Sequence, residues 1–158
     1  MSFKEIQTKK GLALSLPKGF TLLEVLLSLV LITVLVAVAA PAYYGLFYTN
    51  DLDVAKNQVA QTLGRAAFLS SASDGDMNWG VKVLVENIIV FKGVSYSGRD
   101  ANYDEVYSTS ASVTPSGLTE VVFDKLTGLP QTTGTITLTS ANGEVRTIAI
   151  NTKGAVTY

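Results

Sequence analysis

An uncharged run of 24 residues, from Val25 to Tyr48, restricts what this chain can fold into more than any other feature of its sequence. A helix rises about 1.5 Å per residue, so the run would be about 36 Å long and would exceed the ~30 Å hydrocarbon core of a bilayer. Within lipid, a single segment can satisfy its own backbone hydrogen bonds only as a helix. The run therefore predicts one membrane-spanning helix near the N-terminus.

The helical pattern continues beyond this run. Pro41 lies inside it and removes one backbone hydrogen bond, so we predict a helix kink at Pro41 rather than an end to the helix. Past Pro41, apolar residues recur at helical spacing with polar residues between them, as in an amphipathic helix. We predict one helix of about 50 residues, apolar all round over residues 20–48 and amphipathic over 49–72. Its second half has an apolar stripe of Leu46, Phe47, Leu52, Val54, Ala55, Val59, Leu63, Ala66, Ala67 and Leu69.

Residues 73–158 have the composition of a β domain. Turn residues are frequent over 70–78, and β-branched and aromatic residues then recur in short runs. Asn142-Gly143 predicts a hairpin with a two-residue turn. The fold class we predict is α+β, a long N-terminal helix packed on a small antiparallel β domain. Strands are expected at 81–85, 88–91, 119–123, 135–139 and 145–150, with an edge strand at 154–158 and a loop or ragged strand at 93–105.

Charge is distributed unevenly along the chain. Residues 1–19 contain four Lys and one Glu, a net charge of +3, whereas the other 139 residues carry 8 basic and 12 acidic side chains, a net charge of −4. A basic segment ahead of an apolar helix predicts a single-pass protein of the cytoplasmic membrane, with its N-terminus in the cytoplasm and its β domain outside. The acidic remainder has no basic block, so we expect membrane lipid but no nucleic acid as a partner.

The sequence contains no Cys and no His. This excludes disulfides, thiolate nucleophiles, Cys-based zinc sites and Ser-His-Asp catalysis. Carboxylate pairs and a Ser-Lys dyad stay open, but the sequence places no third catalytic group beside either. We therefore expect a protein that is not an enzyme, with no catalytic residues, no cofactor and no metal.

The segment Lys18-Gly19-Phe20-Thr21-Leu22-Leu23-Glu24 joins the basic N-terminus to the apolar run. A lone carboxylate inside a membrane segment costs on the order of 2.5–3.5 kcal/mol on insertion, so Glu24 needs a partner or must reach water at the interface. The segment resembles the class III signal of type IV prepilins and type II secretion pseudopilins. Pro41 matches the proline at which helices of that family bend.

This resemblance implies a processing site. Prepilin peptidase would cut between Gly19 and Phe20, which makes residues 1–19 a cleaved leader peptide, and Phe20 would then be N-methylated. Glu24 of one subunit would pair with the new amine of its neighbour, a role in filament assembly. The implied partners are prepilin peptidase, other pilin or pseudopilin subunits and a membrane assembly platform, and the filament would be periplasmic or on the cell surface.

The β domain resembles, less specifically, that of the GspH/FimT group of minor pseudopilins and minor pilins. The resemblance rests on Phe123-Asp124-Lys125-Leu126-Thr127-Gly128, on the strand that follows at 134–136, and on Gly154-Ala155-Val156. It implies a two-sheet β domain and a minor subunit of a type II secretion system or type IV pilus. Members that capture DNA carry an Arg-rich C-terminal tail, and residues 154–158 contain no Arg. A pilus-associated module that captures DNA or a surface ligand is the alternative function.

Other patterns leave alternatives open. Ala37-Val38-Ala39 has the small-x-small form of a leader peptidase site, although the apolar run is longer than the about 7–15 residues of an ordinary signal core. Asp74, Asp76 and Asn78 begin like an EF-hand loop, but the Gly and Glu that such a loop requires are absent, so ion binding is left open. The sequence does not indicate which machine uses the subunit. A solvated or packing role is expected for Asp100, Asp104, Glu105, Tyr96, Tyr103 and Tyr107.

Overall fold

A computed structural model describes residues 19–158, apart from the side chains at positions 40–42, 44 and 45. This part of the chain forms one long helix followed by eight strands in two antiparallel four-stranded sheets. The α+β prediction and the two-sheet expectation are confirmed. The elements are α1 (Leu22–Ser71), β1 (Trp79–Val83), β2 (Asn87–Lys92), β3 (Asp100–Ser108), β4 (Val113–Gly117), β5 (Glu120–Phe123), β6 (Gly134–Ser140), β7 (Val145–Ile150) and β8 (Val156–Thr157), with a short 3-10 turn at Asp74–Asp76.

The chain divides into two compact units, Met1–Ala39 and Ala40–Tyr158, and α1 contributes to both. The second unit contains both sheets, one in the order β3-β2-β1-β5 and the other in the order β4-β6-β7-β8. The expected divisions of the chain at residues 19/20, 48/49 and 72/73 stay predictions.

The core of the second unit lies between the amphipathic half of α1 and the two sheets. Leu52, Val59 and Leu63 are fully buried there. They lie in one cluster with side chains of both sheets, among them Val81, Phe123, Ile136 and Ile148. Burial of one such side chain stabilises the fold by about 1.5–3 kcal/mol, so α1 links the two sheets through apolar contact.

The predicted apolar stripe of α1 is confirmed in part. Its buried members are Leu52, Ala55, Val59, Leu63, Ala66 and Leu69. The prediction was wrong for Leu46, Phe47 and Val54, which are exposed. Val54 follows Leu52 by two residues, about 200° around the helix, and therefore faces away from the sheets.

One strand was expected to be irregular, and another was not predicted. Residues 100–108 form β3, which fits the ragged strand expected at 93–105 but continues to Ser108, and its pairing with β2 shifts in register between Val90 and Lys92. β3 is an edge strand with mostly exposed side chains, so its polar composition is no obstacle to pairing. β4 was not predicted, and it contains Pro115. It is an edge strand of the other sheet, where a missing N–H can be tolerated.

The hairpin predicted at Asn142-Gly143 is present between β6 and β7, but its turn is longer than two residues. Ser140 N–H donates to the Glu144 carbonyl (2.9 Å) and Gly143 N–H donates to the Ser140 carbonyl (2.9 Å). The φ angle is positive at Gly143 (86°) and not at Asn142. A turn closed by one left-handed Gly is the ordinary three-residue hairpin loop, and it needs Gly at the last position only.

The C-terminal end of α1 is held by one buried hydroxyl. Ser70 is fully buried, and its Oγ accepts from Trp79 N–H (2.8 Å) and donates to the Phe123 carbonyl (3.0 Å). The hydroxyl therefore connects the helix to β1 and β5 at once. A buried polar group is tolerated because all of these partners satisfy it.

The segment 123–128, singled out in the sequence for its resemblance, covers the same helix end. Leu126 N–H donates to the Ser70 carbonyl (2.9 Å), which also accepts from Ser73 N–H (3.0 Å) just beyond the helix end. Gly128 has a φ of 64°, and a Cβ there would lie 2.8 Å from the Ala67 carbonyl oxygen. Only Gly allows the loop to approach the helix this closely. The segment thus has a structural role in capping α1.

Candidate functional site

The predicted cleavage site lies just before α1. Gly19 and Phe20 are exposed and non-helical, and a Cβ at Gly19 would meet nothing within 4 Å. The helix begins at Leu22, and Thr21 Oγ1 accepts a hydrogen bond from Glu24 N–H (3.2 Å). Thr21 is therefore the N-cap residue of α1. The rest of the predicted leader, residues 1–18, lies outside the described residues.

The N-cap role of Thr21 was not predicted, although a signal for it is present in the sequence. Ser or Thr followed three residues later by Glu is the capping-box pattern of a helix start, and Thr21 and Glu24 have that spacing. Glu24 occupies the first turn of α1, where the helix dipole favours negative charge. The Glu24 carbonyl also accepts a hydrogen bond from Ser28 Oγ (2.7 Å). Glu24 thus has a local helix-starting role in addition to any role between subunits.

The first part of α1 is apolar on every side. Residues Leu22–Ala39 have a mean hydropathy of 2.8 and none of them is buried. Eighteen residues of helix are about 27 Å long, close to the ~30 Å core of a bilayer. The segment is thus long and apolar enough to cross a membrane. Ala37-Val38-Ala39 is helical, as is the backbone at Pro41, so Pro41 does not end the helix. The kink at Pro41 stays a prediction.

The acidic turn after α1 is used within the chain. Asp76 forms an ion pair with Lys125 Nζ (2.8 Å), which lowers the pKa of the Asp76 carboxyl through hydrogen bonding and charge. Asn78 Oδ1 accepts a hydrogen bond from Lys125 N–H (3.0 Å), and the Asp74 carbonyl accepts one from Trp79 Nε1 (2.9 Å). Within residues 19–158, no group of three or more acidic side chains is placed to hold a metal ion.

Four of the acidic and tyrosine side chains of residues 96–107 lie in two separate networks. In one, Arg99 donates to Asp104 (2.8 Å) and its guanidinium lies 3.8 Å from the centre of the Tyr96 ring. Hydrogen bonding to Asp104 raises the pKa of Arg99. Tyr103 lies elsewhere, with Lys92 Nζ 4.2 Å from the centre of its ring. This part of the β domain is held by ordinary surface contacts.

The second network joins α1 to β3. Arg65 donates two hydrogen bonds to the carboxylate of Glu105, and Tyr107 Oη donates a third (3.0 Å). Hydrogen bonds from Arg65 outweigh the effect of burial and hold the pKa of Glu105 below its ordinary value. Hydrogen bonding to Glu105 and its negative charge raise the pKa of Arg65. Burial, together with the hydrogen bond to Glu105, raises the pKa of Tyr107.

This network predicts a pH-dependent contribution to stability. A carboxyl whose pKa is lowered on folding stabilises the fold above its ordinary value of 4.5, and the contribution is lost as the pH falls through the lower value of the folded state. We expect Glu105→Gln to lower the free energy of unfolding at pH 7 by about 0.2–1 kcal/mol, since the pair is partly exposed. The difference in the free energy of unfolding between this variant and the wild type should shrink below pH 4.5. Denaturant unfolding at several pH values measures it, with the exposed Glu86→Gln as control; an unchanged difference at low pH would contradict the assignment.

A family model for the prokaryotic N-terminal methylation motif matches residues 15–40 of the chain. No curated protein and no solved structure matches it. The matched residues include Gly19, Phe20 and Glu24 together with most of the apolar segment, and the match supports the resemblance to type IV prepilins and pseudopilins. The motif implies processing by prepilin peptidase and assembly with other pilins. With its long N-terminal helix packed on an antiparallel β domain, the chain is similar to a membrane-anchored type IV pilin subunit.

Proposed function

We propose that the chain is a minor pseudopilin or minor pilin of a type II secretion system or type IV pilus, with no catalytic activity. The observation that carries this proposal is the methylation motif at residues 15–40, placed on an apolar helix segment of which no residue is buried. Such a segment needs either lipid or other helices around it. When a subunit leaves the membrane and enters a filament, helices of other subunits replace the lipid. The subunit would wait in the cytoplasmic membrane, with its N-terminus inside, and enter the filament through an assembly platform.

Cleavage between Gly19 and Phe20 would give Glu24 a second role. It would place a positively charged amine two residues before the first helical residue, Leu22. The N-terminal end of a helix already carries partial positive charge, so the amine is unfavourable there without an anion nearby. Glu24 of an adjacent subunit can supply that anion in a water-poor filament core. The pair would specify how neighbouring subunits align.

The assignment to the GspH/FimT group rests on the β domain. A long helix packed on two antiparallel sheets, and a 123–128 loop that covers the helix end, support it. The second candidate function is capture of DNA or another surface ligand. Capture of DNA would require free cations, and six of the eight basic side chains in residues 40–158 form ion pairs with carboxylates within the chain. We therefore favour the structural role and expect no nucleic acid as a partner.

The mature N-terminus tests the proposed function directly. We expect mass spectrometry of the membrane fraction to find a chain that begins at N-methylated Phe20. A strain without prepilin peptidase provides the control and should retain residues 1–19. A chain that begins at Met1 in wild-type cells, or at Ala40 after cleavage behind Ala37-Val38-Ala39, would contradict the proposal.

A further inference from the structure

The two sheets of residues 19–158 have four edge strands, β3, β5, β4 and β8, and three of these edges are blocked. β8 has only two residues. Along β5, the Val122 carbonyl accepts a hydrogen bond from Gln131 N–H (2.8 Å), so the segment after β5 covers that edge. β4 contains Pro115. An exposed strand edge can pair with another chain, and short strands, covering segments and Pro are the means by which proteins prevent this.

Pro115 lies at the middle of the free edge of β4. Leu118 N–H donates to the Thr135 carbonyl (3.0 Å), and backbone groups alternate in direction along an antiparallel strand. Ser116 and Thr114 therefore direct their backbone groups to β6, and the backbone of Pro115 faces away from it. Because Pro has no N–H, a further strand would find no donor at this position.

The edge of β3 has none of these three blocks. The strand has nine residues and contains neither Pro nor Lys. Thr109 N–H donates to the Glu86 carbonyl (2.8 Å), so the same alternation directs the backbone groups of Asp104, Val106 and Ser108 away from β2. This regular free edge is about 17 Å long, enough to pair with an extended segment of about five residues.

An open groove of about 460 Å³ lies beside this edge, on the side of β3 that faces α1. Tyr107 forms one wall of the groove, and Gln58 and Gln61 of α1 form part of the other. Amide side chains both donate and accept hydrogen bonds, and the Tyr ring offers an apolar surface. Successive side chains of a strand point to opposite faces, so every second side chain of an added strand would point towards the groove. The free edge can thus bind a backbone while the groove selects side chains.

We propose that β3 accepts an extended segment of another protein as an additional strand of its sheet. A row of outward-facing N–H and C=O groups matches another polypeptide backbone, and neither lipid nor nucleic acid offers that pattern. A second copy of β3 is a poor partner, since the strand carries Asp100, Asp104 and Glu105 and no basic residue, and pairing would bring like charges together. The partner segment is therefore neutral or basic. This proposal adds a protein partner to the proposed function and does not depend on it.

Photo-crosslinking in cells tests the proposal. The photoreactive amino acid p-benzoylphenylalanine replaces Tyr103, an aromatic residue of β3 that is 50% exposed, and should crosslink to a different protein. Adding Val106→Pro removes the N–H at the centre of the free edge. It should lower the crosslink yield about tenfold, because one hydrogen bond is lost and its acceptor is left unpaired. Val106→Thr is the matched control, since it keeps both the N–H and the branched side chain, and it should leave the yield unchanged.

A second variant separates loss of the edge from loss of the fold. Pro is tolerated at an edge position whose N–H points away from the sheet, so Val106→Pro should fold. The fluorescence of the buried Trp79 in the purified full chain checks this. Ser108→Pro removes the next outward N–H and should lower the crosslink yield in the same way.

Mass spectrometry of the crosslinked product identifies the partner segment, and a synthetic peptide of that sequence should bind the purified full chain in detergent. Of the two forms of this peptide that are N-methylated at alternate residues, one should bind as the unmodified peptide does. The other should bind about tenfold more weakly, because its N–H groups towards β3 are blocked. Equal binding of all three peptides would overturn strand addition.

The crosslinks themselves decide the rest. Crosslinks to a different protein that both Pro variants reduce and Val106→Thr retains support the proposal. Crosslinks that the Pro variants do not change, crosslinks only to a second copy of this chain, or no crosslinks at all overturn it. A chain processed at Phe20 in the same membranes, without β3 crosslinks, leaves the proposed function standing and removes only the strand partner.

Discussion

Glu24→Gln is expected to abolish filament assembly while the chain still inserts into the membrane and is cleaved. The substitution keeps the size of the side chain and the Thr21-x-x-Gln pattern of a helix start, and removes only the charge. If Glu24 pairs with the amine of Phe20 in a neighbour, its loss leaves that amine unpaired in a water-poor contact, at a cost of about 3–5 kcal/mol. This corresponds to about two to four orders of magnitude in each association step. Recovery of sheared filaments, normalised to mature protein in the membrane, measures the effect.

Thr21→Ala is the matched control for this experiment. It removes the hydroxyl that accepts a hydrogen bond from Glu24 N–H (3.2 Å) and weakens the helix start by about 0.5–2 kcal/mol, but it leaves the carboxylate in place. We expect it to assemble. If Glu24→Gln assembles as well as wild type, the assembly role of Glu24 is wrong, and its position in the first turn of α1 is explained by the helix dipole alone.

Leu63→Ala is expected to cause a large loss of stability in the unit that the second half of α1 forms with the two sheets. Leu63 is fully buried in the cluster that α1 shares with both sheets. Removal of its side chain leaves a cavity that neither sheet can close without moving the other, so the cost should be about 2–5 kcal/mol. Denaturant unfolding of the full chain in detergent can be followed by the fluorescence of Trp79, which is the one Trp in the sequence and is buried.

Val54→Ala provides the comparison on the opposite face of the same helix. Val54 is exposed, and its truncation in the monomer should change the free energy of unfolding by no more than about 0.5 kcal/mol. If Leu63→Ala and Val54→Ala lower the free energy of unfolding equally, α1 does not pack on the sheets through the face that contains Leu63.

Much of this fold is predictable because its signals are local. The uncharged run from Val25 to Tyr48, the amphipathic repeat that follows it and the β-branched runs each depend on residues a few positions apart. These patterns predicted a 50-residue helix, which is found as Leu22–Ser71. The segment around Gly19, Phe20 and Glu24 was also readable from sequence, because its information lies in short spacing.

Other features depended on distant residues and could not be predicted. The continuation of β3 to Ser108 depends on its pairing with β2, and β4 accepted Pro115 because it lies at a sheet edge. The sequence showed which residues of α1 are apolar, but not that Phe47 and Val54 face outward. That depended on which side of the helix the sheets occupy.

The sequence by itself determined the anchor, the processing motif and the division into helix and strands, because each is encoded by residues that lie close together along the chain. Only the tertiary structure decided how these parts are joined. Ser70 connects to Phe123 across 53 positions and Arg146 to Asp53 across 93. It also left Gly64 of α1 open to solvent. The physical reason is that burial and pairing depend on which residues meet in space, and residues so far apart in sequence meet only when the chain is folded.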